Sequence, residues 1–480
     1  MEQNNKEVRV IIIGGQAAGM TCAAKINRAK EDYDIKIFEK TNTISFGACG
    51  LPYYVADYFS DESTLCARTK EEVENTNFHV YLKHKVLSID HINKFVQVKN
   101  LTNKRITNYP YDKLVLATGA LPNALPPSIQ ASNVQGVYSF KNLHEVKIIK
   151  RNLQEKTAKS ILVLGAGYIG LEILEALSKY PDVQVTVIDQ KEKITMGLID
   201  KEFEPLLLEE LKKYKINLLL RSKILKIENL GKKVIATYEC KEGDKLSCKT
   251  IEADIIISAL GFRPQVELFE NINFDKLPNG ALIVNNNGET NIPDIYAAGD
   301  CAAVYNKLLK VNQYIPLATL ANKLGRAIAD AISGNKDTFQ GALSSYCIKV
   351  LNLEIGRTGI SEEEAMLHKI PYVVSFVQDY DHTSYYPHQN KLYIKLIICP
   401  IEFVIIGAQI LGASGAILRA HSLSIFIDQK VSAVEIGMMD LAYSPPFSRT
   451  WDILNIAGNV AQKEIKKLQQ SMEYDYRKMI

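Results

Sequence analysis

The chain has 480 residues, a net charge of +3, 47% hydrophobic and 23% charged residues. At about 150 residues per domain it is too long for one core, and we expect three. Its ordinary composition and weak charge exclude a disordered chain and a strongly basic nucleic-acid binder.

The eight cysteines contain no C-x-x-C pair, and the eight histidines never join them at zinc-like spacing. No run of eighteen apolar residues is present, and residues 1–5 carry no signal-peptide pattern. The expectation is a cytoplasmic protein with no disulfide framework, metal site, membrane span or nucleic-acid partner.

Residues 8–13 (Val-Arg-Val-Ile-Ile-Ile) form a β-rich apolar run that enters Gly14-Gly15-Gln16-Ala17-Ala18-Gly19 and then a helix-prone stretch to Arg28. A strand, a tight glycine turn and a helix N-terminus together make a site for a dinucleotide pyrophosphate. A second strand, 35–39, ends in Glu39, 25 residues after Gly14, where an acid can hold a ribose hydroxyl. Gln16 replaces the middle glycine of the fingerprint, so taken alone the turn also fits an ordinary strand-to-helix connection.

The next stretch, Ser45-Phe46-Gly47-Ala48-Cys49-Gly50-Leu51-Pro52-Tyr53-Tyr54, sets a thiol before Gly50 and Pro52. These residues punctuate a loop and admit a first helical turn, which places Cys49 at a helix N-terminus, where thiolate is favoured over thiol. Tyr54 stands five residues on and the next cysteine is Cys66, so Cys49 is solitary. A small buried hydrophobe is the other reading of such a residue.

Residues 111–119 read as a buried strand entering Ala117-Thr118-Gly119. A second fingerprint then follows strand 161–164: Gly165-Ala166-Gly167-Tyr168-Ile169-Gly170 is intact, and the next strand, 185–188, ends in Asp189. Two such copies about 150 residues apart, each with its strand, helix and acid, point to two nucleotide sites. Residues 255–264 repeat the strand-and-turn shape of 111–119 through Gly261, and Ala298-Gly299-Asp300 sets an acid after another strand.

From 339 to about 459 the fingerprints stop, and strand-like runs (347–350, 372–377, 392–397, 404–409) precede one long helix. Tyr385-Tyr386-Pro387 and Tyr443-Ser444-Pro445-Pro446-Phe447 stand out there; aromatics beside prolines are usually packing or interface residues. Residues 461–480 are charged and helix-prone.

Taken together, the doubled fingerprint, Ala117-Thr118-Gly119, Ala298-Gly299-Asp300 and the single cysteine of residues 46–54 resemble the single-cysteine branch of the FAD- and pyridine-nucleotide-dependent disulfide reductases. The likeness covers about residues 8–460. The Cys-Gly-Leu-Pro-Tyr-Tyr run, Tyr385-Tyr386-Pro387 and Ala442-Tyr443-Ser444-Pro445-Pro446-Phe447 are most similar to the coenzyme A disulfide reductases, whose relatives include NADH oxidases and persulfide reductases.

The resemblance implies an α/β fold with two Rossmann-like dinucleotide-binding domains and a C-terminal α+β dimerisation domain. FAD would take 1–122 and 265–338, the nicotinamide nucleotide 123–264, and dimerisation 339–460, with 461–480 as a helical tail. The implied cofactor residues are Gly14, Gly15, Gln16, Ala17, Ala18, Gly19, Glu39, Lys40, Cys49, Thr118, Gly119, Gly299 and Asp300, together with Gly165, Gly167, Tyr168, Ile169, Gly170, Glu172, Asp189 and Gly261. The resemblance assigns the first fingerprint, Glu39 and Asp300 to FAD and the second fingerprint to the nicotinamide nucleotide; the Asp189 carboxylate, which would face a 2′-phosphate as a like charge, points to NADH over NADPH.

Thr21, Lys25, Arg28 and Ser45 fall where relatives contact coenzyme A, although Lys25 replaces a glutamine of some relatives and Ala48 an asparagine. The implied reaction runs from NAD(P)H through FAD to a mixed disulfide of Cys49 with a small thiol such as coenzyme A. The implied assembly is a homodimer in which Tyr443 and Tyr385 or Tyr386 reach the other subunit's cysteine. An oxidase or peroxidase cycling Cys49 through sulfenic acid, a persulfide reductase and a non-catalytic NADH-sensing flavoprotein are the alternatives.

Overall fold

A computed structural model describes residues 7–29, 33–74, 78–129, 134–194, 197–243, 245–335 and 339–479. The chain forms two compact units, Met1–Asn123 with Phe262–Ala342, and Ala124–Gly261 with Leu343–Ile480.

The first unit is built on a parallel sheet in the order Ile295–Ala297, Lys113–Leu116, Val8–Ile13, Tyr33–Phe38, Phe78–Tyr81. Its inner strands, Val8–Ile13 and Lys113–Leu116, end in continuous apolar runs because both faces are covered, and Val10, Ile11 and Ile12 are all but inaccessible, whereas Tyr33–Phe38 and Phe78–Tyr81 alternate buried and more exposed side chains. From Val8–Ile13 the chain goes to Tyr33–Phe38 on one side and to Lys113–Leu116 on the other. The first glycine turn therefore lies at the carboxyl end of a strand where the order reverses, the place at which open α/β sheets bind ligands. Helix Ala17–Asn27 leaves that turn and packs against helix Ala318–Ile332 so closely that a Cβ on Gly325 would stand 2.6 Å from the Ala18 carbonyl oxygen.

The second unit holds another parallel sheet, Asn217–Leu219, Gln184–Ile188, Ser160–Leu164, Ile255–Ser258, Val137–Ser139, with the same reversal at Ser160–Leu164. It also holds an antiparallel sheet, Tyr346–Val350, Leu353–Gly359, Ile405–Gly412, Lys391–Ile398, Val373–Tyr380. Helices Ala416–Asp428 and Ile453–Met479 pack on that sheet.

Strand Leu353–Gly359 was not foreseen, since its glycines and charges hide the alternation. A Cβ on Gly356 would meet Ala420 Cβ at 2.8 Å, so the covering helix needs a glycine there. Residues 461–479 continue the helix that begins at Ile453 and are not a separate element.

Within the second unit, buried charge joins distant segments. Lys395, on strand Lys391–Ile398, is fully inaccessible, and its ammonium meets Asp200 at 3.1 Å, Glu202 at 2.8 Å and Glu362 at 2.6 Å. These carboxylates stand close enough together to hold a cation, and the cation they hold is the lysine. Breaking such a cluster leaves buried charge uncompensated, which ties the 198–203 segment to the C-terminal sheet. Among the described residues, no helix is long and apolar enough to cross a membrane.

Candidate active site

The first glycine turn is held by the acid that follows it. Glu39 is buried; its Oε2 accepts the Gly15 N–H at 2.8 Å and its Oε1 the Thr41 N–H at 2.8 Å. Gly14 takes φ +111, and a Cβ there would fall 2.1 Å from the Ala117 carbonyl oxygen. Gly19 is equally obligatory, since its Cβ would stand 2.0 Å from the Gly14 carbonyl oxygen.

Gln16, the departure from the fingerprint, has an ordinary φ of −99, so its backbone does not call for glycine. Its amide nitrogen donates to Glu39 at 3.3 Å and to the Thr43 carbonyl at 3.1 Å, and its amide oxygen accepts the Phe46 N–H at 2.8 Å.

That last bond ties the cysteine loop to the turn. Ser45 takes φ +50, a costly conformation for a residue with a side chain. It is fixed by its own N–H to the Gly15 carbonyl at 2.9 Å and by the Ala67 N–H to its carbonyl at 3.0 Å.

Cys49 follows, exposed, within a single 3₁₀ turn, Ala48–Gly50, that runs into a five-residue helix, Leu51–Val55, with Pro52 in its first turn. The expected helix N-terminus is present but short. Five residues sum to little macrodipole.

Thr118 Oγ1 donates to the Gln265 carbonyl at 2.7 Å, and Lys40 Nζ meets Gln265 Oε1 at 2.8 Å. Gly299, at φ +80, turns the chain so that its Cβ would lie 3.3 Å from Ala18 Cβ, which brings Asp300 to the start of helix Ala17–Asn27. Gly119 faces open space, with nothing within 4 Å of a Cβ. Buried Glu39, partly exposed Asp300 and this room at Gly119 fit a dinucleotide at the carboxyl ends of the strands.

At the far end of helix Ala17–Asn27, a pocket of about 200 Å³ is lined by Lys25, Arg28, Arg326, Asp330, Ser333 and Asn335, among others. Lys25 is neutralised by Asp330, and Thr21 bonds Asn322 at 2.7 Å. Among the described residues neither Arg28 nor Arg326 meets a carboxylate, and Ser333 Oγ lies out of solvent with no hydrogen-bond partner. Sequence reasoning had Lys25 and Arg28 but missed Arg326 and Ser333, which lie some 300 residues away on helix Ala318–Ile332 and the turn after it.

In the second unit the same turn architecture recurs. Asp189 Oδ2 accepts the Ala166 N–H at 2.7 Å and Oδ1 the Lys191 N–H at 2.8 Å, as Glu39 does in the first. Gly165 takes φ +100 and Gly261 φ +84; nothing lies within 4 Å of a Cβ on Gly167, which leaves room for a pyrophosphate. Tyr168 donates its hydroxyl to the Cys347 carbonyl. Glu172, on helix Tyr168–Leu177, is pushed up to about 7 by burial and then by the neighbouring Glu175 carboxylate.

Two comparisons decide the family. The pattern of pyridine nucleotide-disulphide oxidoreductases matches residues 8–325, and that of their dimerisation domain matches residues 346–453. The chain belongs to this family.

It is 28% identical to an NAD(P)H coenzyme A polysulfide/persulfide reductase of Pyrococcus horikoshii, over 95% of this chain and 99% of that one. It is 31% identical to an NADH oxidase of Methanocaldococcus jannaschii, over 95% and 99%. The crystal structure of reduced Bacillus anthracis CoADR-RHD superposes with a TM-score of 0.89 at 29% identity, covering 96% of this chain and 81% of that one. The protein is thus an oxidoreductase; its family implies FAD and a nicotinamide nucleotide, and its dimerisation domain implies a homodimer.

The dimerisation domain of this oxidoreductase carries the tyrosines. Tyr385 and Tyr443 share a hydroxyl–hydroxyl bond of 2.9 Å, and both are exposed. The bond from Tyr385 raises the Tyr443 pKa. Tyr386 instead stands edge-on to His382, with ring centroids 5.4 Å apart. Of the two candidates it is therefore Tyr385 that joins Tyr443. His382 was not singled out from the sequence, because a lone histidine beside an aspartate carries no pattern.

Proposed function

We propose that the protein reduces a small disulfide at Cys49 with electrons from NADH, and that the thiol it handles is coenzyme A or a close phosphorylated relative. The assignment of 1–122 and 265–338 to FAD, 123–264 to the nicotinamide nucleotide and 339–460 to dimerisation belongs to the same proposal.

The observation that carries it is the basic pocket at Arg28 and Arg326. Gln16 anchors the cysteine loop at one end of helix Ala17–Asn27 and the pocket lies at the other, roughly 17 Å away at about 1.5 Å per residue. A ligand joined to Cys49 through sulfur and carrying phosphate on an arm of that length suits both ends. Arginine is the side chain best shaped for phosphate. Lys25 contributes little, since Asp330 already holds it.

When bound, FAD supplies the passage of two electrons from the nicotinamide to sulfur. Glu39, Asp300 and the turn at 14–19 would hold it, while the turn at 165–170 with Asp189 would hold the nucleotide. The Cys49 thiolate attacks one sulfur of the disulfide; the Cys49–sulfur bond forms as the old S–S bond breaks, and the departing thiolate takes a proton. Two-electron reduction of the mixed disulfide then frees the second thiol and returns the Cys49 thiolate. The Tyr385–Tyr443 pair is proposed to serve the partner subunit's Cys49 by protonating or orienting the departing thiolate.

Oxygen or peroxide reduction is the second reading; the Methanocaldococcus relative is named an NADH oxidase. It is favoured less, because residues 16–18 of the first turn offer no titratable group to that chemistry.

The test compares coenzyme A disulfide with pantethine, the phosphate-free disulfide of the same arm. Coenzyme A disulfide should be reduced with the higher kcat/KM, by about tenfold or more. Equal rates would remove the phosphorylated substrate, and reduction of neither would remove the function.

A further inference from the structure

The turn that carries Tyr385 is pinned by one buried side chain. His382 is almost inaccessible, and every group its ring nitrogens face is an acceptor. Nδ1 lies 2.7 Å from Asp381 Oδ1, and Nε2 lies 3.2 Å from the Tyr386 carbonyl oxygen and 3.1 Å from that of Pro387. A neutral imidazole has one N–H and one lone pair, so in this setting one nitrogen would point its lone pair at oxygen. Only the imidazolium donates from both.

The surroundings fix the ring in place. Asp381 is itself held by the Asn390 N–H at 2.9 Å and the Asn390 amide at 3.1 Å, and the Gln389 amide donates to the His382 carbonyl. Across the turn, Thr383 Oγ1 donates to the Pro445 carbonyl at 3.2 Å, in the same segment as Tyr443. The charged groups packed here are Asp381; Arg419, which reaches the Asp381 carbonyl at 3.1 Å and is neutralised by Asp452; and Arg449, paired with Asp379. Asp381 is therefore the one carboxylate bonded to the ring among the described residues.

We propose that His382 is the positioning residue of the tyrosine pair: charged, it clamps the Asp381 carboxylate to the Tyr386 and Pro387 carbonyls and so fixes the 383–388 turn that presents Tyr385 to Tyr443. The catalytic consequence rests on the function proposed above; the clamp does not.

The test uses the full-length holoenzyme. In a crystal structure of His382→Ala the 383–388 turn should shift and the 2.9 Å Tyr385–Tyr443 contact should be lost. Its retention overturns the clamp, whatever Tyr385 does in turnover. With coenzyme A disulfide, His382→Ala should lower kcat about as far as Tyr385→Phe, the double variant no further, with the KM for NADH unchanged. Losses that multiply instead would overturn the proposal. Should His382→Ala not fold, His382→Gln gives the same readout: it cannot bridge the Asp381 carboxylate and both carbonyls, so the Tyr385–Tyr443 contact should again be lost, and its retention would overturn the clamp.

Discussion

The amide oxygen of Gln16 accepts the Phe46 N–H at 2.8 Å, three residues before Cys49. The residue that breaks the first fingerprint is thus the one that fastens the cysteine loop to it. With its amide nitrogen on Glu39 and Thr43, Gln16 makes the glycine turn, the acid and the loop a single hydrogen-bonded piece. A glycine there would complete the motif and lose the anchor.

Gln16→Gly should therefore keep FAD and lose performance. Three bonds disappear and backbone freedom rises, so the protein should lose about 2 kcal/mol of stability. Disulfide turnover should fall several-fold while bound FAD stays stoichiometric. Wild-type turnover and thermal midpoint would show that the anchor contributes nothing.

Cys49→Ser should abolish NADH-dependent disulfide reduction and leave reduction of bound FAD by NADH intact, because the hydride step does not involve the sulfur. Stopped-flow absorbance separates the two. Loss of both in a folded variant would make the cysteine structural.

Glu172 predicts a pH dependence of stability. Burial, and then Glu175, raise it from 4.5 to about 7 in the folded chain. Between those values the folded state keeps a proton that the unfolded state has released, so the unfolding free energy falls as pH climbs from about 4.5 to 7 and levels off above. The full effect is roughly 3 kcal/mol. Glu172→Gln should match wild type near pH 5 and exceed it at pH 8 in thermal midpoint. A constant difference across that range would mean that Glu172 is ionised throughout.

How much of this was legible follows from distance along the chain. Both glycine turns could be read because their chemistry is local: Gly14 and Gly165 take φ of +111 and +100, and each acid lies within about 25 residues. The Gln16–Phe46 bond spans thirty residues between two loops, and no periodicity announces it. Arg28 and Arg326 meet only because helices Ala17–Asn27 and Ala318–Ile332 pack together. Lys395 did leave a mark, a charge inside the apolar run Leu392-Tyr393-Ile394-Lys395-Leu396-Ile397, but its three partners come from two distant segments.

The preferred nucleotide should be NADH over NADPH, and the proposed function asks two duties of Asp189, of which the structure shows the first. Its carboxylate accepts the Ala166 and Lys191 N–H groups at 2.7 and 2.8 Å, which holds the second glycine turn. It also follows directly on strand Gln184–Ile188, where a ribose 2′-hydroxyl would donate to it but a 2′-phosphate would meet like charge. That repulsion, partly screened by solvent, is worth on the order of 1–3 kcal/mol, or about ten- to hundredfold in kcat/KM. Asp189→Ser should narrow the NADH preference by that factor. Because it also removes both turn bonds, it should raise the KM for both nucleotides, which a residue that only reads the ribose would not do. An unchanged ratio with raised KM values would assign Asp189 to the turn alone, and a wild-type preference for NADPH would overturn the selectivity argument.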